Sequence, residues 1–147
     1  MRRIHCAALV AACLLATPAF AETLAGPYVA DILRVIDGDT FHAKVHVWLG
    51  LEQNVKIRLR GIDAPELHGR CPGEPEAAAA SRDYLAALLG GDSVQLTDIG
   101  VDKYGGRVDA AVRLPNGQDV GAAMLASGHA RPMKRSRVSW CRKMETQ

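Results

Sequence analysis

Asp37 and Asp39 in "VIDGDT", and Asp63 and Glu66 in "RLRGIDAPELHG", form two acidic clusters about twenty residues apart. Both sit beside Val, Ile and Leu of the kind that build a core. If the segments carrying them are neighbours, three or four carboxylates meet at one rim, where like charges repel and a cation lowers the energy of all of them. A donor set of oxygens, without thiolate or paired imidazole, favours a hard ion such as calcium or magnesium. The alternative for an isolated Asp-Gly-Asp is a turn that uses aspartate for local hydrogen bonds. Arg58 shifts the balance, because it lies on the same strand face as Lys56 and Arg60 and leads directly into the Asp63 turn. Arg107, after "DKYGG", is a second guanidinium. Two arginines facing a metal-carboxylate rim suit chemistry at phosphate: the cations neutralise developing charge and a carboxylate orients or deprotonates a water. Surface ion pairing is the alternative for each arginine taken singly.

Elements able to hold such a rim are visible in the periodicity. Phe41, Ala43, Val45 and Val47 alternate with His42, Lys44, His46 and Trp48, and Val55, Ile57 and Leu59 alternate with Lys56, Arg58 and Arg60, both with the period of a half-buried strand. "GLEQN" between them reads as a hairpin loop. After Gly73 and Pro75 the period changes, and Ala77, Ala80, Tyr84, Leu85 and Leu88 follow helical spacing up to Gly90-Gly91. "DSVQLTDI" reads as a strand, "DKYGGR" as a turn, and "RVDAAVRL" as a further strand through Val108, Ala110, Val112 and Leu114. Asp119 is the expected N-cap of a second helix, "VGAAMLASG". The order strand, strand, strand, helix, strand, strand, helix predicts a mainly β, α+β chain built as a small five-stranded barrel of the OB type with two helices packed on it. An open α+β sandwich is the alternative.

Residues 1–21 read as a secretory signal, with Arg2 and Arg3, an apolar run from Cys6 to Ala16, and Ala19-Phe20-Ala21 as the cleavage site. The run is shorter than the roughly 20 residues that cross a bilayer. A lipoprotein-type site at "VAAC" is disfavoured, because the apolar run continues past Cys13. The chain is therefore expected to be exported, to a periplasm or beyond the cell, and to act as a monomer without stable membrane association. Losing Arg2 and Arg3 leaves 16 Lys+Arg against 16 Asp+Glu, so the mature chain is formally neutral. Neutrality weighs against a general nucleic-acid coating protein, and any anionic substrate must be held by locally placed charge. The remaining 126 residues allow one domain with a real core. Cys71 and Cys141 are then the thiols left in an oxidising compartment. A disulfide between them is expected, with two free thiols as the alternative. Residues 131–147 form a basic tail, for which solvation and a phosphate contact are equally good readings.

"VIDGDTF", "IRLRGIDAPE", "DKYGGRV" and "LASGHAR", in this order and spacing over about residues 29 to 131, resemble the staphylococcal nuclease (thermonuclease) family. The resemblance implies an OB-fold nuclease domain over 22–130 and a calcium-dependent endonuclease that hydrolyses DNA and RNA to 3′-phosphate ends. It further implies Asp39, Asp63 and the carbonyl of Ala64 as calcium ligands, with Asp37 behind them. Glu66 becomes the carboxylate beside the attacking water, Arg58 and Arg107 the phosphate clamp, and Lys103 and Tyr104 nucleotide contacts. The chain departs from the family pattern at Ala64, where the best-known member has threonine. It carries one glycine more than "DKYGR", and it has Pro132, Met133 and Lys134 where tyrosines would stack on bases. It also lacks a long third helix, whose covering role a Cys71 to Cys141 disulfide would share.

The histidines offer no competing centre. His42 and His46 share a strand face but stand roughly 13 Å apart. Trp48 and Trp140 are expected to pack more than to stack on bases. The rival class is an OB-fold module that binds nucleic acid without cutting it. The set Asp39, Asp63, Glu66, Arg58 and Arg107 argues against it, since carboxylates beside an anionic ligand weaken simple binding.

Overall fold

The computed structural model describes residues 22–69, 71–91, 93–103, 105–134 and 140–141. The signal-like segment 1–21, Tyr104 and most of the basic tail lie outside the described residues. The elements run β1 (Thr23–Leu24), β2 (Tyr28–Val35), β3 (Thr40–Trp48), β4 (Leu51–Leu59), β5 (Ile62–Asp63), α1 (Glu74–Leu89), β6 (Ser93–Val101), β7 (Val108–Arg113), α2 (Val120–Ala126) and β8 (Arg131–Pro132). No helix among the described residues is long and apolar enough to cross a membrane.

Strands β6, β2, β3, β4 and β7 pair in that order, and β6 also pairs with β7, which closes a five-stranded barrel. The β4–β7 pairing is parallel and the other four are antiparallel. The expected five-stranded OB-type barrel with two helices is therefore the observed architecture, with β1 added at the edge of β6 and β5–β8 as a separate two-stranded ribbon. Strand alternation fills the interior: Phe41, Ala43, Ile57, Leu59, Val94, Leu96, Ala110 and Val112 all point inward and are almost wholly buried. Met124 and Val120 of α2 and Leu85 and Leu89 of α1 complete the core.

Three details differ from the sequence reading. The β3–β4 loop is only Leu49-Gly50, because Leu51 to Asn54 continue β4 opposite Lys44 to Trp48. Trp48 at that turn is 77% exposed rather than packed. Helix α1 buries Ala78, Ser81, Leu85 and Leu89, so its inner stripe is rotated from the one drawn through Ala77 and Ala80. The four alanines at 77–80 are interchangeable in hydrophobicity and carry no phase, so only the C-terminal leucines fix the face. Helix α2 starts as expected, with the Asp119 side chain accepting from Ala122 N at 2.8 Å.

Cys71 and Cys141 are joined by a disulfide across 70 residues of chain. Closing a loop of that length restricts the unfolded chain, and replacing both cysteines by serine is expected to cost about 2 to 4 kcal/mol. The midpoint of guanidinium unfolding in the two forms measures it, and equal midpoints would contradict the expectation.

Candidate active site

The β2–β3 turn carries the first acidic cluster. Ile36 N and Asp37 N both donate to Thr40 O (2.9 and 3.2 Å), and Asp37 Oδ1 accepts from Asp39 N at 3.0 Å. Asp37 thus does the turn's local bonding, which leaves the Asp39 side chain to point inward. Gly38 has to be glycine: a Cβ there would overlap the Ser81 hydroxyl of α1 and stand 2.8 Å from Ala64 Cβ. The turn is wedged between α1 and the Asp63 loop, and that wedging brings Asp39 against Ala64.

Asp39 is 5% exposed, and both of its carboxylate oxygens are hydrogen-bonded. Its Oδ1 accepts from Arg58 Nη1 and from Thr40 Oγ1, both at 2.8 Å, and its Oδ2 accepts from Ala64 N at 3.1 Å. Arg58 sits opposite Thr40 in the β3–β4 register, and Leu59 N donates to Asp39 O at 2.8 Å, so strand pairing fixes donor and acceptor together. The other arm of the guanidinium, Nη2, donates to Ile62 O at 3.3 Å and lies 4.0 Å from Asp63 Oδ1. One planar fork therefore spans both carboxylates.

Asp63 belongs to β5, which pairs with β8 so that Asp63 faces Arg131. Its Oδ2 accepts from Arg131 Nε (3.0 Å) and from Trp140 Nε1 (3.1 Å), and Arg131 Nη2 pairs with the same oxygen at 2.8 Å. Glu66 follows on an exposed turn, closed by Gly69 N donating to Glu66 O at 2.9 Å. Among the described residues no hydrogen bond or ion pair engages its carboxylate. Arg107 follows two glycines in the left-handed region, Gly105 (φ 68°) and Gly106 (φ 66°). The extra glycine is absorbed in a turn closed by Asp102 N to Arg107 O at 3.2 Å, and Arg107 Nε donates to the buried Asp102 carboxylate.

These groups share one cleft of about 1020 Å³, lined by Asp37, Asp39, Arg58, Asp63, Ala64, Glu66, Lys103 and Arg107. Every described residue that the sequence points to as a metal, catalytic or substrate contact thus reaches one cleft, and Tyr104 lies outside the described residues. The sequence reading assigns no role to Glu74 or Asp102, reads Trp140 as a packing residue and counts Arg131 only within the basic tail. Arg131, Glu74, Asp102 and Trp140 also line the cleft, and the Trp140 ring lies beneath Arg131 at 4.1 Å. The one available signal was "SWC", which ties Trp140 to a disulfide residue. The sulfurs of Cys71 and Cys141 and a Glu74 oxygen also cluster within 4.8 Å, but sulfurs bonded to each other offer no thiolate to a metal.

Burial pushes the Asp39 carboxyl up to about 6 from 3.8; the Arg58 guanidinium pulls it down, and the Asp37 charge adds to the rise. Between pH 3.8 and about 6 the folded chain holds a proton on Asp39 that the unfolded chain has released. The contribution of Asp39 to stability therefore falls as pH rises through that window, by roughly 3 kcal/mol in all. In chelator, the stability of Asp39→Asn relative to the unsubstituted chain is expected to improve steadily from pH 4 to pH 7. Guanidinium unfolding across that range checks it, and a constant difference would contradict it.

A carboxylate held this far above its usual range favours any arrangement that brings it a cation. Among the described residues, Asp39 Oδ2 carries one hydrogen bond and so keeps a lone pair, and Asp63 Oδ1 has only the 4.0 Å approach of Arg58. Together with the Ala64 carbonyl these are hard oxygen donors, and the set fits calcium better than zinc or copper.

The family described as staphylococcal nuclease homologue matches residues 56–146. A micrococcal nuclease of Shigella flexneri is 32% identical over 124 residues, 80% of this chain and 62% of that protein. Protein ParB of Escherichia coli is 33% identical over 134 residues, 86% of this chain and 67% of that protein. A probable endonuclease LCL3 of Clavispora lusitaniae is 33% identical over 117 residues, 66% of this chain and 50% of that protein. The chain thus spans between half and two thirds of the length of these relatives. With the family match covering most of the chain, and with the closed barrel beneath it, this protein belongs to the staphylococcal nuclease homologue family.

Proposed function

We propose that this chain is an exported, calcium-dependent endonuclease that hydrolyses phosphodiester bonds of DNA and RNA and leaves 3′-phosphate ends. The observation that carries the reading is the Arg58 fork spanning Asp39 and Asp63 in a cleft whose wall also holds Glu66 and Arg107. A pure binding module has no use for a buried carboxylate on the path of a phosphate. The nuclease names of the Shigella and Clavispora relatives point the same way. The signal-like residues 1–21 and the disulfide support export.

Asp39, Asp63 and the Ala64 carbonyl would hold calcium, which supplies a fixed positive charge for a phosphate oxygen when bound. Arg58 and Arg107 orient the phosphate and offset its growing charge, each steadied by a buried aspartate, Asp39 and Asp102. Glu66 accepts the proton of the attacking water, or fixes its orientation, because its carboxylate is exposed to the cleft and, among the described residues, uncommitted. Lys103 is exposed at the cleft wall and supplies charge along the strand of substrate.

The test is end-group analysis of digests of single-stranded DNA and of RNA. Products that accept a new 5′-phosphate directly, and that need phosphatase before a polymerase extends them, carry 5′-hydroxyl and 3′-phosphate ends and support the reading. Binding without cleavage in any divalent metal would favour the non-catalytic module.

A further inference from the structure

The disulfide lies behind both segments that carry the site's outer carboxylates. On one side Cys141 directly follows Trp140, which is 8% exposed and donates from Nε1 to Asp63 Oδ2 at 3.1 Å. Arg131 adds a hydrogen bond from Nε and an ion pair through Nη2 to the same oxygen and covers the Trp140 ring. On the other side Cys71 Sγ lies 3.1 Å from Glu74 Oε2. A disulfide sulfur carries no hydrogen, so this is packing and not a hydrogen bond. Glu74 is 7% exposed, its Oε1 accepts from Glu66 N at 3.4 Å, and a Cβ on Gly69 would overlap its carboxyl group. The sulfur bridge thus touches the support of Asp63 through Trp140 and the support of the Glu66 turn through Glu74.

We propose that Trp140, pinned by the Cys71–Cys141 disulfide, is a positioning residue for the cation site: with Arg131 it holds Asp63 Oδ2 and so turns Oδ1 toward the cation. Two hydrogen bonds, from Arg131 Nε and Trp140 Nε1, and the Arg131 Nη2 charge converge on Oδ2, whereas among the described residues Oδ1 has the distant Arg58 arm alone, so the carboxylate is oriented and its two oxygens are made unequal. Such outer partners set ligand orientation and contribute to metal affinity. The inference rests on the reading of Asp39 and Asp63 as calcium ligands. It adds that the state of a disulfide outside the ligand set governs how well they bind.

Calorimetric titration of calcium into the chain from Glu22 tests it, using the unsubstituted protein, Trp140→Phe and Cys71→Ser/Cys141→Ser. Near-ultraviolet circular dichroism and melting in chelator report the fold separately. Trp140→Phe keeps an aromatic ring under Arg131 and removes the N–H. Its calcium affinity is expected to fall about tenfold while it stays folded. The double serine variant is expected to fall at least as far. Reducing the unsubstituted chain with a dithiol should reproduce that loss: two electrons and two protons open the bridge to two thiols, and the reagent closes to its own disulfide. Trp48→Phe, at the far end of β3, should bind calcium normally. Unchanged calcium affinity in folded Trp140→Phe would overturn the proposal, even if its melting temperature dropped. If the double serine variant does not fold, Trp140→Phe decides alone. No calcium binding by the unsubstituted chain would overturn both this proposal and the metal assignment beneath it.

Discussion

Glu66→Gln is expected to lower the turnover of single-stranded DNA by at least about a hundredfold, with calcium affinity and melting temperature little changed. The substitution keeps shape and polarity but removes the ability to take a proton. Little else should move, because the side chain stands exposed on a turn and, among the described residues, carries no structural bond. Its main chain is held from beneath, by Glu74 at Glu66 N and by the Gly69 contact, so a glutamine occupies the same place. Turnover and calcium titration on the same preparation check it. A loss below tenfold would remove Glu66 from the water-activating role, and a parallel loss of calcium affinity would make it a ligand instead.

Arg58→Lys is expected to cost about two to three orders of magnitude in kcat/KM, although the charge is kept. The guanidinium places Nη1 on Asp39 and Nη2 on Ile62 O, with Asp63 within 4.0 Å, and a single ammonium cannot hold both arms of that span. Asp39 is buried and already held near pH 6 despite Arg58, so a poorer partner raises it further and leaves less carboxylate for calcium at neutral pH. The variant should therefore recover part of its activity as pH or calcium concentration is raised, whereas Glu66→Gln should not. Steady-state kinetics from pH 7 to 9 at several calcium concentrations separate the two. An Arg58→Lys rate within tenfold of the original at all of them would contradict the clamp.

How much of this could be read in advance depended on how local each signal is. The barrel strands announced themselves because Phe41, Ala43 and Val45, and Ile57 and Leu59, alternate over whole strands. The phase of α1 was hidden by a run of alanines. The two-residue strands β5 and β8 are too short for any period, yet their pairing sets Asp63 opposite Arg131. Asp39, Asp63, Glu66 and Arg58 were conspicuous as charges next to core-like residues. Trp140 was not, because its bond to Asp63 crosses 77 residues of chain, and only the adjacent Cys141 hinted at a tether. The wedge that requires Gly38 is likewise a tertiary fact, since Ser81 and Ala64 come from other parts of the chain. The second glycine of "DKYGGR" raised the question of where Arg107 would go, and a turn with two left-handed glycines places it in the cleft wall.

The decisive measurement is the degradation of single-stranded DNA by the purified chain from Glu22 in calcium, in magnesium and in chelator. Cleavage that appears with calcium, is far weaker with magnesium and is abolished by chelator is the result expected if Asp39, Asp63 and Ala64 hold the ion that serves Arg58 and Glu66. Cleavage that persists in chelator, or intact DNA bound tightly and in a salt-sensitive way in every metal, would contradict it.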